Sequence, residues 1–132
     1  MPGEDRYRIA AIERRRDAAH LRAGGRDLAA IYVLGYAVEC GLKALLEREN
    51  KKFRRSGREG HNLLGLWEQA GFRRRDVSGY RRQFLDEWNT SLRYLDALPS
   101  NVDTTGLYEG GRQLAGYVEV QSRRSKRKRD RR

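Results

Sequence analysis

The chain contains two histidines, His20 and His61, and histidine is the residue that ordinarily titrates near neutral pH. His61 directly follows a basic segment that includes Arg54, Arg55 and Arg58. Cleavage of RNA without a metal ion uses a base of near-neutral pKa to accept the 2′-hydroxyl proton, and cations to stabilise the charge on the phosphate. The pattern therefore makes His61 a candidate general base beside candidate phosphate ligands. The alternative, which the sequence favours, is that His61 begins a helix and makes hydrogen bonds within the fold.

A stripe of aromatic and charged residues runs at helical spacing along the most apolar segment of the chain. Its members are Tyr32, Tyr36, Glu39 and Lys43. Glu39 and Lys43 are four residues apart, in the favourable order for an ion pair, and a charge buried in an apolar helix must be paired. Two interpretations stay open. Either the pair belongs to a polar site with His61 or Arg93, or it fixes the register of helix packing, which is the favoured interpretation.

The formal net charge of +11 over 132 residues is concentrated at the C-terminus, because residues 122–132 carry eight Lys or Arg and one Asp. We therefore expect a folded domain over residues 1–121 and a disordered basic tail over 122–132. Dense positive charge binds phosphate by releasing counterions, so nucleic acid is the favoured partner. The alternatives are a tail that only increases solubility and a tail that docks on an acidic protein. The run 73–75 would extend this surface if the fold brings it to the same face. The candidate nucleic-acid ligands are Lys51, Lys52, Arg58, Arg123, Arg124, Lys126, Arg127, Lys128 and Arg129.

The residue types that would hold a metal or a cofactor are scarce. One cysteine and two distant histidines cannot form a typical zinc site, and neither familiar glycine-rich phosphate loop is present, so we predict no metal and no cofactor. Cys40 lies in an apolar run, which favours a buried thiol over a nucleophile and fits a reducing compartment. We find no secretory signal and no apolar stretch near the roughly 18 residues of a membrane span. The expectation is a cytoplasmic protein without membrane contact.

Strong helix formers dominate the chain, and strand patterns are almost absent. The apolar periodicity and the glycine and proline breaks predict helices over residues 5–23, 26–50, 61–70, 80–98 and 104–120. The expected fold is an all-α, up-and-down bundle of four long helices and one short helix. Gly35 and Gly41 predict that another helix packs very closely on segment 26–50. The pair Gly110 and Gly111 predicts a kink or a weak point in the last helix.

Three pieces of the chain resemble the HEPN family, in this order and spacing over about residues 26–96. The segment RDLAAIYVLGYAVECGLKALLERE, from Arg26 to Glu49, is similar to the second helix of HEPN domains. His61 with Leu64 and Trp67 is similar to the H-x-L-x-x-L element that opens a later helix in that family. Arg93 and Tyr94 resemble an Arg-Tyr pair that its members carry late in the bundle.

The resemblance implies a helical bundle that forms a homodimer, and it favours RNA over DNA as the nucleic-acid partner. Members often cleave RNA in toxin–antitoxin or defence systems, frequently beside a nucleotidyltransferase partner protein, whereas others are binding or scaffolding modules without nuclease activity. The nucleolytic members carry Arg, four to six residues and then His at the start of the last helix. Here His20 and His61 both precede Arg93, so that motif is missing.

Three functions follow as hypotheses. The leading expectation is an RNA-binding HEPN-like protein, for which the resemblance suggests a toxin–antitoxin or defence pair as the setting. The second is a metal-independent ribonuclease with His61 as general base and Arg54, Arg55 or Arg93 as phosphate ligands. The third is a non-catalytic scaffold whose basic tail docks on an acidic partner.

Overall fold

The computed structural model describes residues 2–53 and 60–130, and these residues form helices without any strand. The all-helical prediction is therefore confirmed for the described part of the chain. The described residues contain five α-helices: α1 Pro2–Ala23, α2 Asp27–Arg48, α3 Leu63–Gln69, α4 Gly79–Glu87 and α5 Thr104–Asp130. Two short 3₁₀ turns, Arg74–Asp76 and Thr90–Tyr94, lie on either side of α4. The bundle thus has three long helices rather than the predicted four.

Helix α2 is the centre of the bundle, because apolar residues cover most of its circumference and it packs against both α1 and α5. α1 runs antiparallel to α2 and is joined to it by a tight turn in which Gly25 adopts a positive φ of 78°. The amide of Arg26 donates to the carbonyl of Leu21 across this turn, which closes the last turn of α1. α5 runs in the same direction as α2, since Arg22 binds Thr105 near its start and Arg48 binds Ser122 farther along it.

The prediction of one helix over residues 80–98 is wrong, because α4 ends at Glu87. Trp88 leaves the helix with an extended backbone, and its indole ring then covers Gly35 on α2. The indole N–H donates to the carbonyl of Tyr32 at 3.1 Å. Next, the side chain of Asn89 accepts a hydrogen bond from the amide of Ser91 at 2.8 Å and so caps a separate 3₁₀ turn.

The glycines of α2 and α5 mark close approaches. The predicted close packing of another helix is found at Gly41, whereas at Gly35 the neighbour is the Trp88 ring, which follows α4. A Cβ on Gly35 would lie 1.8 Å from the Trp88 ring, and one on Gly41 would lie 3.0 Å from Val118 of α5. On α5, a Cβ on Gly110 would lie 2.5 Å from the backbone of Tyr80 at the start of α4. The helix is continuous through Gly110, so these glycines let α4 pack directly on α5 rather than interrupting it.

Helix α5 extends to Asp130, about ten residues beyond its predicted end and into the segment expected to be disordered. Disorder of the tail is therefore not confirmed. Ser122 is buried, with 3% of its surface exposed, and its carbonyl accepts a hydrogen bond from the buried guanidinium of Arg48. The boundary between domain and tail was predicted at residue 122, yet Ser122 packs as part of the bundle.

Helix α2 is long and apolar enough, by length and composition, to cross a membrane, although no such stretch was predicted from the sequence. Two thirds of its most apolar window, 67%, is buried inside the bundle. The buried surface of α2 also carries the charged residues Glu39, Lys43 and Arg48.

Candidate functional site

Three of the residues singled out in the sequence meet at the middle of α2. The carboxylate of Glu39 contacts the ammonium of Lys43 at 3.0 Å through Oε2, and Nδ1 of His61 at 2.8 Å through Oε1. The Glu39 and Lys43 side chains are 6% and 2% exposed, whereas His61 is 32% exposed. The geometry fits both interpretations of the Glu39–Lys43 pair. The two residues form a buried ion pair between successive turns of α2, and Glu39 also hydrogen-bonds to His61.

The position of His61 has a local cause. It lies just before Asn62, whose side chain accepts a hydrogen bond from the amide of Gly65 and caps α3. Leu63, Leu66 and Trp67 then anchor α3 in the core, so the residue before the cap is held against α2. His61 thus precedes α3 by two residues and hydrogen-bonds within the fold, as the favoured interpretation expects.

The contact with Glu39 defines which nitrogen of His61 can act as a base. A carboxylate oxygen accepts hydrogen bonds, so Nδ1 of a neutral His61 donates to Glu39 and Nε2 carries the free lone pair. A carboxylate that orients a histidine in this way is the arrangement found behind many general bases. Because His61 is only partly buried, a substrate proton could approach the ring from solvent.

Glu39, Lys43 and His61 together form what we call the polar group. Aromatic rings cover it on the side of Tyr36. The Tyr36 ring meets the His61 ring edge-on with centroids 6.0 Å apart, and it meets Trp88 at 5.2 Å. Its hydroxyl lies 3.0 Å from the hydroxyl of Tyr32. Burial, and next the hydrogen bond with Tyr32, raise the pKa of Tyr36, so this phenol stays protonated and serves as a neutral hydrogen-bonding group.

Arg93 and Tyr94 lie apart from His61. Arg93 hydrogen-bonds to the hydroxyl of Tyr94 at 2.9 Å and also interacts with the side chain of Tyr32. Through Tyr32 and Tyr36 it is connected to the His61 group only indirectly. Tyr94 is 75% exposed, so it lies outside the core of this chain. The candidate phosphate ligands Arg54, Arg55 and Arg58 lie outside the described residues.

Basic residues of α1, of α5 and of the segment after α2 lie at one end of the bundle. Arg8 of α1 lines a small cavity together with Ala44 of α2 and with Ser122 and Arg123 of α5. Lys51 and Lys52 follow the end of α2, and Arg123 and Arg124 are exposed on α5. We call this surface the basic end and define it as Arg6, Arg8, Lys51, Lys52, Arg123 and Arg124.

The turn after α3 borders the basic end. The ammonium of Lys51 lies 3.5 Å from the position of a Cβ on Gly71, and the Phe72 ring packs on Tyr117 of α5 with centroids 5.6 Å apart. The run 73–75 follows directly, and its contribution to the basic surface stays a prediction. Arg74 is paired with Asp86, whereas Arg73 and Arg75 are exposed.

Acidic residues offset part of this charge. Glu119 pairs with Arg15 at 3.0 Å, and Glu49 lies 3.9 Å from Lys51. The backbone of residues 126–129, four consecutive basic residues, continues α5 beyond Arg124. Among the side chains that the structure describes there, the six cations of the basic end outnumber the carboxylates of Glu49 and Glu119.

The structure also identifies residues that sequence reasoning missed. Arg48 is 1% exposed and joins α2 to α5, and its only signal in the sequence is a charge on the apolar side of α2. The Tyr7 ring lies 5.8 Å from the ammonium of Lys43 and packs against Phe53, so α1 covers the polar group as well. No pattern around Tyr7 indicates this contact, because it depends on how α1 folds back on α2.

The remaining candidates fit structural roles. Burial is the main cause that raises the pKa of Cys40, to about 11, so its thiol is a poor nucleophile near neutral pH. Among residues 2–53 and 60–130, no group of three or more His, Cys, Asp or Glu side chains is placed to hold a metal ion.

The chain matches no protein-family model, no curated protein and no solved structure. The resemblance to the HEPN family therefore stays a prediction that depends on the residues quoted above.

Proposed function

We propose that this protein is an RNA-binding helical domain that holds the phosphate backbone at its basic end. The observation that carries the proposal is the convergence of α1, the end of α2 and the C-terminal part of α5, which groups cations from distant parts of the sequence. Clustered cations release counterions from a polyanion, which is the main source of sequence-independent affinity for nucleic acid. RNA is preferred to DNA because of the resemblance to the HEPN family.

The test is the salt dependence of binding for the full chain and for a chain that ends at Ser122. Ser122 is kept because it is buried and contacts Arg48. We expect the shorter chain to bind RNA more weakly, with the slope of log K against log salt reduced by about 0.7 for each lost contact with a single strand. Equal affinity and equal slope for the two chains would contradict the proposal. A DNA strand of the same sequence tests the preference for RNA.

A second function, metal-independent cleavage of RNA, is favoured by the contact between His61 and Glu39. A histidine oriented by a buried carboxylate and partly open to solvent could accept the 2′-hydroxyl proton. The proposal expects end-labelled RNA to be cleaved in the presence of EDTA, and cleavage to be lost in His61→Ala. His20→Ala is the matched control, because it removes the other histidine. RNA that is bound but stays intact would leave binding as the function.

The homodimer, the nucleotidyltransferase-type partner and the toxin–antitoxin or defence setting stay predictions from the resemblance. A chain that binds no RNA but forms a tight complex with an acidic protein would favour the scaffold hypothesis instead.

A further inference from the structure

A cleft of about 720 Å³ opens at the end of α2 opposite the basic end. Its walls are the turn before α2, the first turns of α2 and the segment around the second 3₁₀ turn. This volume lies within the range of sites that bind small organic groups, about 300–1,000 Å³. The cleft is separate from the His61 group, which lies near the middle of α2.

The lining of the cleft mixes flat apolar walls with groups of both charges. Leu92 and Leu95 supply apolar surface, and Tyr32 adds an aromatic ring with a hydroxyl. Arg26 and Arg93 bring guanidinium groups, and Asp27 and Asp96 bring carboxylates. Asp27 is paired with Arg22 at 2.6 Å, whereas Asp96 is exposed.

Tyr94 stands next to this cleft with its ring in solvent. It is the most exposed of the large hydrophobic side chains described, at 75%, and the guanidinium of Arg93 lies over the ring at 4.8 Å from its centroid. Arg93 itself lines the cleft, so the ring and the cleft are joined through one side chain. An exposed aromatic ring backed by a guanidinium is a stacking surface for a nucleic-acid base.

We propose that Tyr94 and the adjoining cleft bind an unstacked base of single-stranded RNA. This inference rests on the proposed RNA-binding function and adds the kind of RNA that is bound. The two arginines can contact phosphate oxygens, and Asp96 can accept hydrogen bonds from base amino groups or from the 2′-hydroxyl. In a duplex the faces of the bases are stacked on one another, so Tyr94 has access only to single strands or loops.

The contribution of the Tyr94 ring can be separated from that of the basic end. Asp27 is paired with Arg22, so Asp96 alone opposes Arg26 and Arg93, and phosphate contacts of these two arginines add to the salt dependence. The Tyr94 ring is neutral and binds by stacking, which releases no counterions. Loss of the Tyr94 ring should therefore lower affinity without changing the salt slope. Helix α2 is about 33 Å long, so the two surfaces contact different nucleotides of one strand.

The experiment compares Tyr94→Ala, Tyr94→Phe and the native chain in binding to a single strand and to a duplex of the same RNA sequence. Tyr94 is exposed, so the alanine variant should fold normally. Tyr94→Ala is expected to weaken binding of the single strand about 5- to 150-fold at unchanged salt slope, and to leave duplex binding unaltered. Tyr94→Phe keeps the ring and should restore most of the affinity. Gln113→Ala, which truncates an exposed side chain outside both the basic end and the cleft, is the control.

The outcomes distinguish this inference from the proposed function. Equal single-strand affinity of the native chain and Tyr94→Ala, with both bound in a salt-dependent way, would overturn the base-binding site and leave RNA binding intact. No binding of either RNA by the native chain would overturn both. A strand containing 4-thiouridine gives a direct readout, because it should crosslink under light to residues 92–98. Crosslinks confined to the basic end would also overturn the site.

Discussion

At the scale of single residues, Glu39 is the centre of the polar group because it contacts both Lys43 and His61. Glu39→Gln keeps the shape of the side chain but removes a negative charge from beside a buried ammonium. Loss of one member of a buried ion pair costs about 3–5 kcal/mol, so we expect the free energy of unfolding to fall by about 3 kcal/mol in urea titrations. The double variant Glu39→Gln with Lys43→Met should recover part of this loss, since it removes the buried ammonium. An unchanged unfolding midpoint in Glu39→Gln would show that the pair contributes little to stability.

Cys40 gives a second prediction at this scale. Its pKa is raised from 9.0 to about 11, chiefly by burial, so at about pH 8 the thiolate fraction should be about 100-fold smaller than for an ordinary thiol. Because only the thiolate reacts, alkylation by iodoacetamide should be slower by about the same factor in the folded chain than in urea. The rates can be followed by mass spectrometry. Similar rates in the two states would mean that Cys40 is accessible and ionised, against the structural role assigned to it.

At the scale of helices, α5 offers a matched pair of glycine substitutions. Gly110 faces the backbone of Tyr80, and a Cβ there would lie 2.5 Å from it, whereas Gly116 has open space within 4 Å. Gly110→Ala should therefore destabilise the fold by about 1–3 kcal/mol or more, because the backbone of α4 must move. Gly116→Ala should stabilise it by up to about 1 kcal/mol, because alanine is the better helix former. Thermal unfolding of the two variants measures both effects, and a Gly110→Ala variant as stable as Gly116→Ala would contradict the packing of α4 on α5.

The helices that sequence reasoning predicted best are those whose signals are local. The apolar periodicity of α2 and the paired glycines after α1 depend on neighbouring residues, and both predictions agree with the structure. The end of α4 was missed because Trp88 leaves the helix to cover Gly35, which is more than fifty residues earlier in the chain. The length of α5 was missed for a related reason. A basic sequence alone suggests disorder, but the contact between Arg48 and Ser122 extends the packed part of the helix.

At the scale of the whole molecule, the sequence supplied the candidate residues but not their grouping. The spacing of Glu39 and Lys43 predicted their ion pair, since both lie on one helix. The addition of His61, and the separation of Arg93 from it, depend on how α3 and the segment after α4 pack on α2. In the same way, the charge of residues 122–132 was visible at once, whereas the contribution of α1 and α2 to the basic end required the fold.

The location of charge, rather than its total, should therefore decide RNA binding. The variant Lys52→Ala with Arg124→Ala removes two charges from the basic end, and Arg81→Ala with Arg112→Ala removes two from the other half of the bundle. Tyr80, next to Arg81, binds Asp103 before α5, and Arg112 pairs with Glu109 in the first half of that helix. Both double variants lower the net charge from +11 by the same amount.

We expect the first double variant to lose RNA affinity and to reduce the salt slope by about 1.4 if both residues contact the phosphates of a single strand. The second should bind almost as the native chain does, because neither Arg81 nor Arg112 belongs to the basic end or lines the cleft, and Arg112 is already paired with Glu109. Fluorescence anisotropy over a series of salt concentrations measures affinity and slope together. Equal losses in the two variants would mean that RNA responds to the total charge of the molecule and that the basic end is not a defined binding surface.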